Sequence, residues 1–194
     1  MIWSLVVPAY FLGIFPSAIM VARSRGIDIT QVGSGNPGAS NVARTMGTWW
    51  GVAVYALDAL KGIIPAVLGA EILDNRALAY AMVAASIVGH MFPVTRRFAG
   101  GKGVATMSGA AFVLQPVVSL ILFAVWAAVR KLSGKASLAS LAIVVGLPVA
   151  AGIKGVPAWE ILTLVGINLL LLLRHWENIK RLLSGKELSA SRSR

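Results

Sequence analysis

Six apolar runs, at residues 3–21, 47–70, 77–92, 104–129, 138–152 and 157–173, take up most of this chain and dictate its solvent. With 57% hydrophobic and 13% charged residues and a mean hydropathy of +0.79, 194 residues carry more apolar surface than a soluble core can hide. The expectation is an all-α integral membrane protein, one polytopic domain over residues 1–188 followed by a disordered polar tail at 189–194. No basic segment precedes the first run, and it meets Arg23 and Arg25 without a small-residue cleavage pattern, so it reads as a retained helix. The sequence has no cysteine, which excludes disulfides, thiol nucleophiles and thiolate metal sites.

Charge sets the orientation. Six simple spans would carry Arg130, Lys131, Lys135 and the basic tail to the outer side, against the positive-inside tendency. Gln115 and Pro116 interrupt the fourth run, and proline removes a helix hydrogen bond, so two short spans meeting there give seven crossings. With the N-terminus outside and the C-terminus cytoplasmic, fifteen of the eighteen basic residues face inward and only Arg76 and Lys154 face outward. Halves of about thirteen residues reach only about 20 Å, so they need a locally thinned bilayer or burial among neighbours. The net charge of +11 is thereby used in topology, and no nucleic-acid partner is expected.

The inward stretches are built to hold anions. Gly33, Gly35 and Gly38 with Ser34, Asn36 and Pro37 break any helix, and glycines let backbone N–H groups converge as a nest. Ser40 or Asn41 is placed to cap a helix continuing through Arg44 into the second span, unless the segment is a plain loop and cap. The second such segment, Gly100-Gly101-Lys102-Gly103, opens the next helix with Thr106 on its first turn. It is no Walker A motif, because Arg96 stands at the first glycine position and Gly103 follows Lys102. His90, just upstream, is either a ligand contact or a buried, hydrogen-bonded turn residue.

In the tail, Trp176, Ile179 and Leu183 share one helical side, while His175 and Asn178 are neighbours on another part of the surface. Ser137 and Ser140 either donate to an anion or cap the sixth span. Asp58 and Lys61 are an i, i+3 pair about 21 Å down a helix continuous from Arg44, a depth that suits a buried ion pair tying spans together. The seven acids are scattered and the two histidines far apart, so no metal and no cofactor are expected.

Three segments, GSGNPGASNVAR (residues 33–44), GHMFPVTRRFAGGKGVAT (89–106) and RHWENIKRLLSGKE (174–187), together resemble the three cytoplasmic motifs of the PlsY family, the bacterial acylphosphate-dependent glycerol-3-phosphate acyltransferases. Order and spacing fit across essentially the whole chain; SLAS (137–140) and LDALKG (57–62) also look family-like, and Ser40 replaces the usual threonine while keeping a hydroxyl. The resemblance implies acyl transfer from acyl phosphate to the primary hydroxyl of glycerol 3-phosphate at the cytoplasmic face of the bacterial inner membrane, among membrane lipids and without an obligate protein partner. Lys102, His175 and Arg44 are the expected catalytic residues. Ser34, Asn36, Asn41, Gly101, Gly103, Thr106, Ser140 and Asn178 are expected to bind substrate or phosphate, with His90 and Ser40 as further candidates.

Both substrates carry phosphate, which is what two amide nests with Arg44 and Lys102 are suited to hold. A histidine followed five positions later by aspartate, the soluble acyltransferase signature, is absent: Thr95 follows His90 and Lys180 follows His175. Direct transfer without a covalent enzyme intermediate is the expected route, with either His175 or the substrate's own phosphate as base. The alternative is a phosphate or organophosphate transporter, which needs polar residues at the midplane, where only Asp58, Lys61 and Gln115 stand out.

Overall fold

The structure is a computed structural model and describes residues 1–190; of the polar tail only Ser189 and Ala190 are therefore seen, and 191–194 lie outside the described residues. Every regular element among the described residues is helical. The chain divides into two compact units, Met1–Leu114 and the part that begins at Gln115.

The first unit opens with a short 3₁₀ turn and α1 (Val6–Ile14), then α2 (Ser17–Arg23). The first run is thus not one continuous helix. Pro16 breaks it, and Phe15 takes an extended ψ of 122°, which takes its carbonyl out of the helical ladder. After a loop come α3 (Ala39–Met46), α4 (Thr48–Val67) with a π-helical turn at Leu68–Ile72, α5 (Arg76–Met91) and α6 (Val104–Leu114).

The expected helix from Arg44 into the second span is also interrupted. Gly47, at φ 108°, ends α3, and α3 folds back so that a Cβ at Gly51 would overlap Ala43. The break ends the continuous helix on which the depth of about 21 Å for Asp58 was reckoned. Elsewhere glycines set helix spacing: Gly13 lets α1 touch the Ser86 carbonyl of α5, and Gly62 and Gly109 let α4 and α6 meet backbone to backbone.

The second unit holds α7 (Pro116–Ser133), α8 (Ala136–Lys154), α9 (Ala158–Arg174) and α10 (Trp176–Leu183). The break at Gln115 is where the sequence placed it, with φ −140° and ψ 59°, but its two helices span 11 and 18 residues rather than equal halves. The Gln115 side chain donates to Glu160 Oε2 at 3.0 Å and accepts from Lys154 Nζ at 3.2 Å, so polar groups at this end are paired. Between α9 and α10 the chain bends by 60° at His175.

Five helical segments are long and apolar enough to cross a membrane, six if the bent α9–α10 pair counts as one, while α6 is an apolar helix of only 11 residues. Exposed Val117, Leu120, Ile121 and Phe123 on α7 form the surface expected to face lipid.

Candidate active site

The two glycine-rich segments belong to the first unit and are constructed differently. In the first, Gly33 and Gly35 take φ values of +61° and +69°, where side chains are strained. The loop closes on Asn41, which is 1% exposed. Its Oδ1 accepts from Ser34 N–H at 2.9 Å and from Arg44 Nη1 at 3.4 Å, and its Nδ2 donates to the Ile29 and Val32 carbonyls at 3.1 and 3.0 Å. All four capacities of the amide are therefore used. Asn41 thereby shapes the loop and ties Ser34 and Arg44 to it. Asn41 and Ser40 do not cap α3: Gly38 stands at that position without a side-chain cap, and Ser40 lies exposed in the first turn. The Ser34 hydroxyl accepts a long 3.4 Å bond from Asn36 N–H and is exposed, and Asn36 is half-buried.

The second segment is docked onto the end of α5. Gly100 and Gly101 donate their N–H groups to the Met91 and His90 carbonyls at 3.2 and 3.0 Å. A Cβ at Gly101 would collide with His90 Nε2, and one at Gly100 with the His90 carbonyl. Gly101 is therefore a close-approach glycine and its amide is already bonded, a correction to its reading as part of an anion nest. Only Gly103, at φ +81°, needs the left-handed region. Just before them Arg97 and Phe98 also have positive φ, 49° and 62°, a strained corner held by bonds back to Pro93 and Arg96. The Tyr10 hydroxyl of α1 clasps this corner, donating to the Phe92 carbonyl at 2.9 Å and accepting from Val94 N–H. Lys102 thus leaves a fixed loop, half-buried between two buried glycines. Thr106 in the next turn is fully buried, and its hydroxyl has no hydrogen-bond partner.

Beside this loop the first unit has a small cleft lined by Ser17, Pro37, Asp58, Lys61, His90 and Arg96, among others. Pro37 belongs to the first glycine-rich segment, so the Asp58–Lys61 pair borders the motif residues rather than lying remote from them. Lys61 Nζ donates to Asp58 Oδ1 and to the Phe15 carbonyl, each at 2.6 Å, and lies 3.3 Å from His90 Nδ1. His90 is thus a buried member of a polar network. Arg96, which the sequence used only for topology, has a buried Nε without a partner.

In the second unit His175 closes α9 and starts α10, is 2% exposed, and its Nδ1 lies 2.7 Å from the Leu171 carbonyl. A carbonyl can only accept, so Nδ1 carries a proton toward it and the contact fixes the plane of the ring. The α10 helix turns its apolar residues outward, with Trp176 and Leu183 exposed, and buries Asn178. Asn178 Nδ2 donates to Glu187 Oε1 at 2.7 Å, and Arg181 Nε donates to Glu187 Oε2 at 2.8 Å. Lys135 Nζ donates to the Glu187 carbonyl and Ala190 N–H to the Gly134 carbonyl, so the strand of chain after α10 is pinned to the α7–α8 turn.

Burial alone would raise the Glu187 carboxyl, but Asn178, the nearby Ser137 hydroxyl and Arg181 together hold it below the usual glutamate range. Ser137 makes no complete hydrogen bond, and neither it nor Ser140 caps α8, whose cap position is Lys135; both are buried in the first turns. Glu187 was missed as a positioning residue because it lies nine residues past Asn178 across a helix end, where no periodicity links them.

The sequence profile of the glycerol-3-phosphate acyltransferase family matches residues 3–185. Glycerol-3-phosphate acyltransferases of Aquifex aeolicus and Rubrobacter xylanophilus are 40% and 39% identical to this chain, the alignments covering 94% of it and 96% and 92% of theirs. The crystal structure of PlsY, an integral membrane glycerol 3-phosphate acyltransferase, in its glycerol 3-phosphate form superposes with a TM-score of 0.92 at 38% identity, covering 97% of this chain and 94% of that one. Its lysophosphatidic acid form gives 0.89 over the same shares. With its helical order, its motif loops and these likenesses, the chain belongs to the glycerol-3-phosphate acyltransferase family.

Proposed function

We propose that this protein transfers a fatty acyl group from acyl phosphate to the primary hydroxyl of glycerol 3-phosphate, yielding lysophosphatidic acid and inorganic phosphate. The observation that carries this reading is Lys102 on a loop whose backbone is already fixed by bonds to the end of α5, which places a cation at a set point between the two flanking glycines. The acceptor and product are those named for the two solved forms of PlsY. Arg44 and Ser34 hold one phosphate and Lys102 the other or the developing oxyanion, while Asn178 and His175 orient glycerol 3-phosphate.

His175 Nε2 takes the hydroxyl proton as the oxygen attacks the acyl carbonyl carbon. The bond from that carbon to the phosphate oxygen breaks, phosphate leaves with the electron pair, and the proton follows to it. If His175 is the base, His175→Ala lowers kcat and flattens the acidic limb of the pH profile; a rise in KM with that limb intact makes it a positioning residue instead.

The chain is proposed to cross the bacterial cytoplasmic membrane seven times, α6 and α7 each counting once, with the N-terminus outside and the motifs inside. Cysteines at the exposed Arg76 and Lys154 should react with an impermeant thiol reagent from outside, and one at Lys135 should not; labelling at Lys135 rejects this topology. The decisive assay combines purified protein, synthetic acyl phosphate and glycerol 3-phosphate. Lysophosphatidate and phosphate should form in equal amounts in the presence of a chelator, and efficient turnover with acyl-CoA in place of acyl phosphate would reject the donor.

A further inference from the structure

The ammonium of Lys61 touches three separate elements. It bonds Asp58 on its own helix, the carbonyl released by the α1–α2 break at Phe15, and the imidazole of His90 at the end of α5. One turn earlier on α5, Ser86 Oγ donates to the Lys61 carbonyl at 2.8 Å, so α4 and α5 are registered by both the side chain and the backbone of one residue. The adjacent Gly62 packs on the Thr106 carbonyl, which fixes the first turns of α6. His90 in turn receives Gly101 twice, through its carbonyl and against its ring nitrogen. Lys102 therefore sits between a residue seated on His90 and a helix seated on the Lys61 turn.

We infer that Asp58, Lys61 and His90 form a positioning relay that fixes the Gly100–Gly103 loop and with it the direction of Lys102. Sheer stability does not require an ion pair at this place, because a buried pair returns little more than its desolvation cost and apolar residues of similar volume substitute well. What the pair supplies is direction. Lys61 holds its three partners at once, and the imidazole it meets at Nδ1 turns its Nε2 edge to Gly101. The inference rests on the reading of Lys102 as an anion contact, and its test separates the two.

The variant is Asp58→Asn with Lys61→Met, which removes both charges of the pair together. Hydrogen exchange of the full-length protein in detergent is the first readout. Exchange of the Gly100 and Gly101 amides should rise about tenfold or more while α7 to α9 stay as in the wild type, since local opening is governed by local contacts. Unchanged exchange at those two amides overturns the relay, whatever happens to activity. The second readout is a double-mutant cycle. The pair of substitutions should lower kcat by about 10- to 30-fold with little change in KM, but by less than about threefold when Lys102 is already alanine, because residues acting through one another are not additive. Equal losses in both backgrounds would mean a merely structural role. If Lys102→Ala alone is nearly as active as the wild type, the reading of Lys102 fails and the exchange result still decides the relay. Should the double variant not fold, His90→Gln is read by the same exchange measurement, because it keeps the backbone bonds and removes the ring beneath Gly101.

Discussion

The two glycine-rich segments look alike on paper and are held together by opposite means. The first is closed by one side chain: Asn41 gathers two carbonyls, an N–H and a guanidinium around glycines that need left-handed backbone. The second is closed by its own backbone against the end of α5, with glycines that are needed because no Cβ fits. The difference lies in where rigidity comes from. A loop tied by one amide can be opened by one substitution, whereas a loop seated on a helix end moves only when its seat does.

That contrast can be broken experimentally. The largest effect is expected for Lys102→Ala, about 10²- to 10³-fold in kcat, the loss of about 2.7 to 4 kcal/mol of preorganised electrostatic stabilisation, with the protein still folded in detergent. Steady-state kinetics near the wild type would reduce the second segment to a plain loop. Next comes Gly101→Ala, whose methyl meets the His90 ring. Overpacking of about 1 to 3 kcal/mol should displace the loop and lower kcat by about 10- to 100-fold, while Gly26→Ala, in open space, should cost only the strain of its positive φ.

Asn41→Ala is expected to act more gently on turnover. It strands the Ile29 carbonyl and the Ser34 N–H, costs about 1 to 3 kcal/mol per group left buried and unpaired, and should raise the KM of the phosphate substrate proposed to bind there. If KM is unmoved while kcat collapses, the two loops have been assigned the wrong way round.

The smallest effect is a pH dependence in the second unit. The Glu187 carboxyl is held below its ordinary range when folded, so its contribution to stability is complete above the unfolded value of about 4.3 and is lost as pH falls through the lower folded value. Thermal unfolding in detergent should therefore fall in that acidic window for the wild type, and Glu187→Gln should flatten the fall. An unchanged slope would show that Asn178 is positioned without the carboxylate.

The break at Gln115 was legible because proline cannot continue a helix, and the loops of the motif segments were legible because glycine and proline are gathered between apolar runs. Pro16 carried the same local signal and breaks the first run in the same way. Less legible was which contacts each residue spends. Asn41 looked like a ligand and Gly101 like a nest, since composition records the capacity to bond but not the partner already holding it.

What the sequence determined by itself is local or summed along the chain: apolar helices from apolar length, helix breaks and loops from glycine and proline. Tertiary structure alone decided the rest. The fold-back of α3 at Gly47 put Asp58 and Lys61 beside the first motif, where a continuous helix would have kept them about 21 Å away. Packing of α4, α5 and α6 at closest approach brought Lys61, His90 and Gly101 together from positions up to 40 residues apart, and pairing across a helix end joined Asn178 to Glu187. Such contacts depend on how surfaces fit in three dimensions, and no spacing along the chain encodes them.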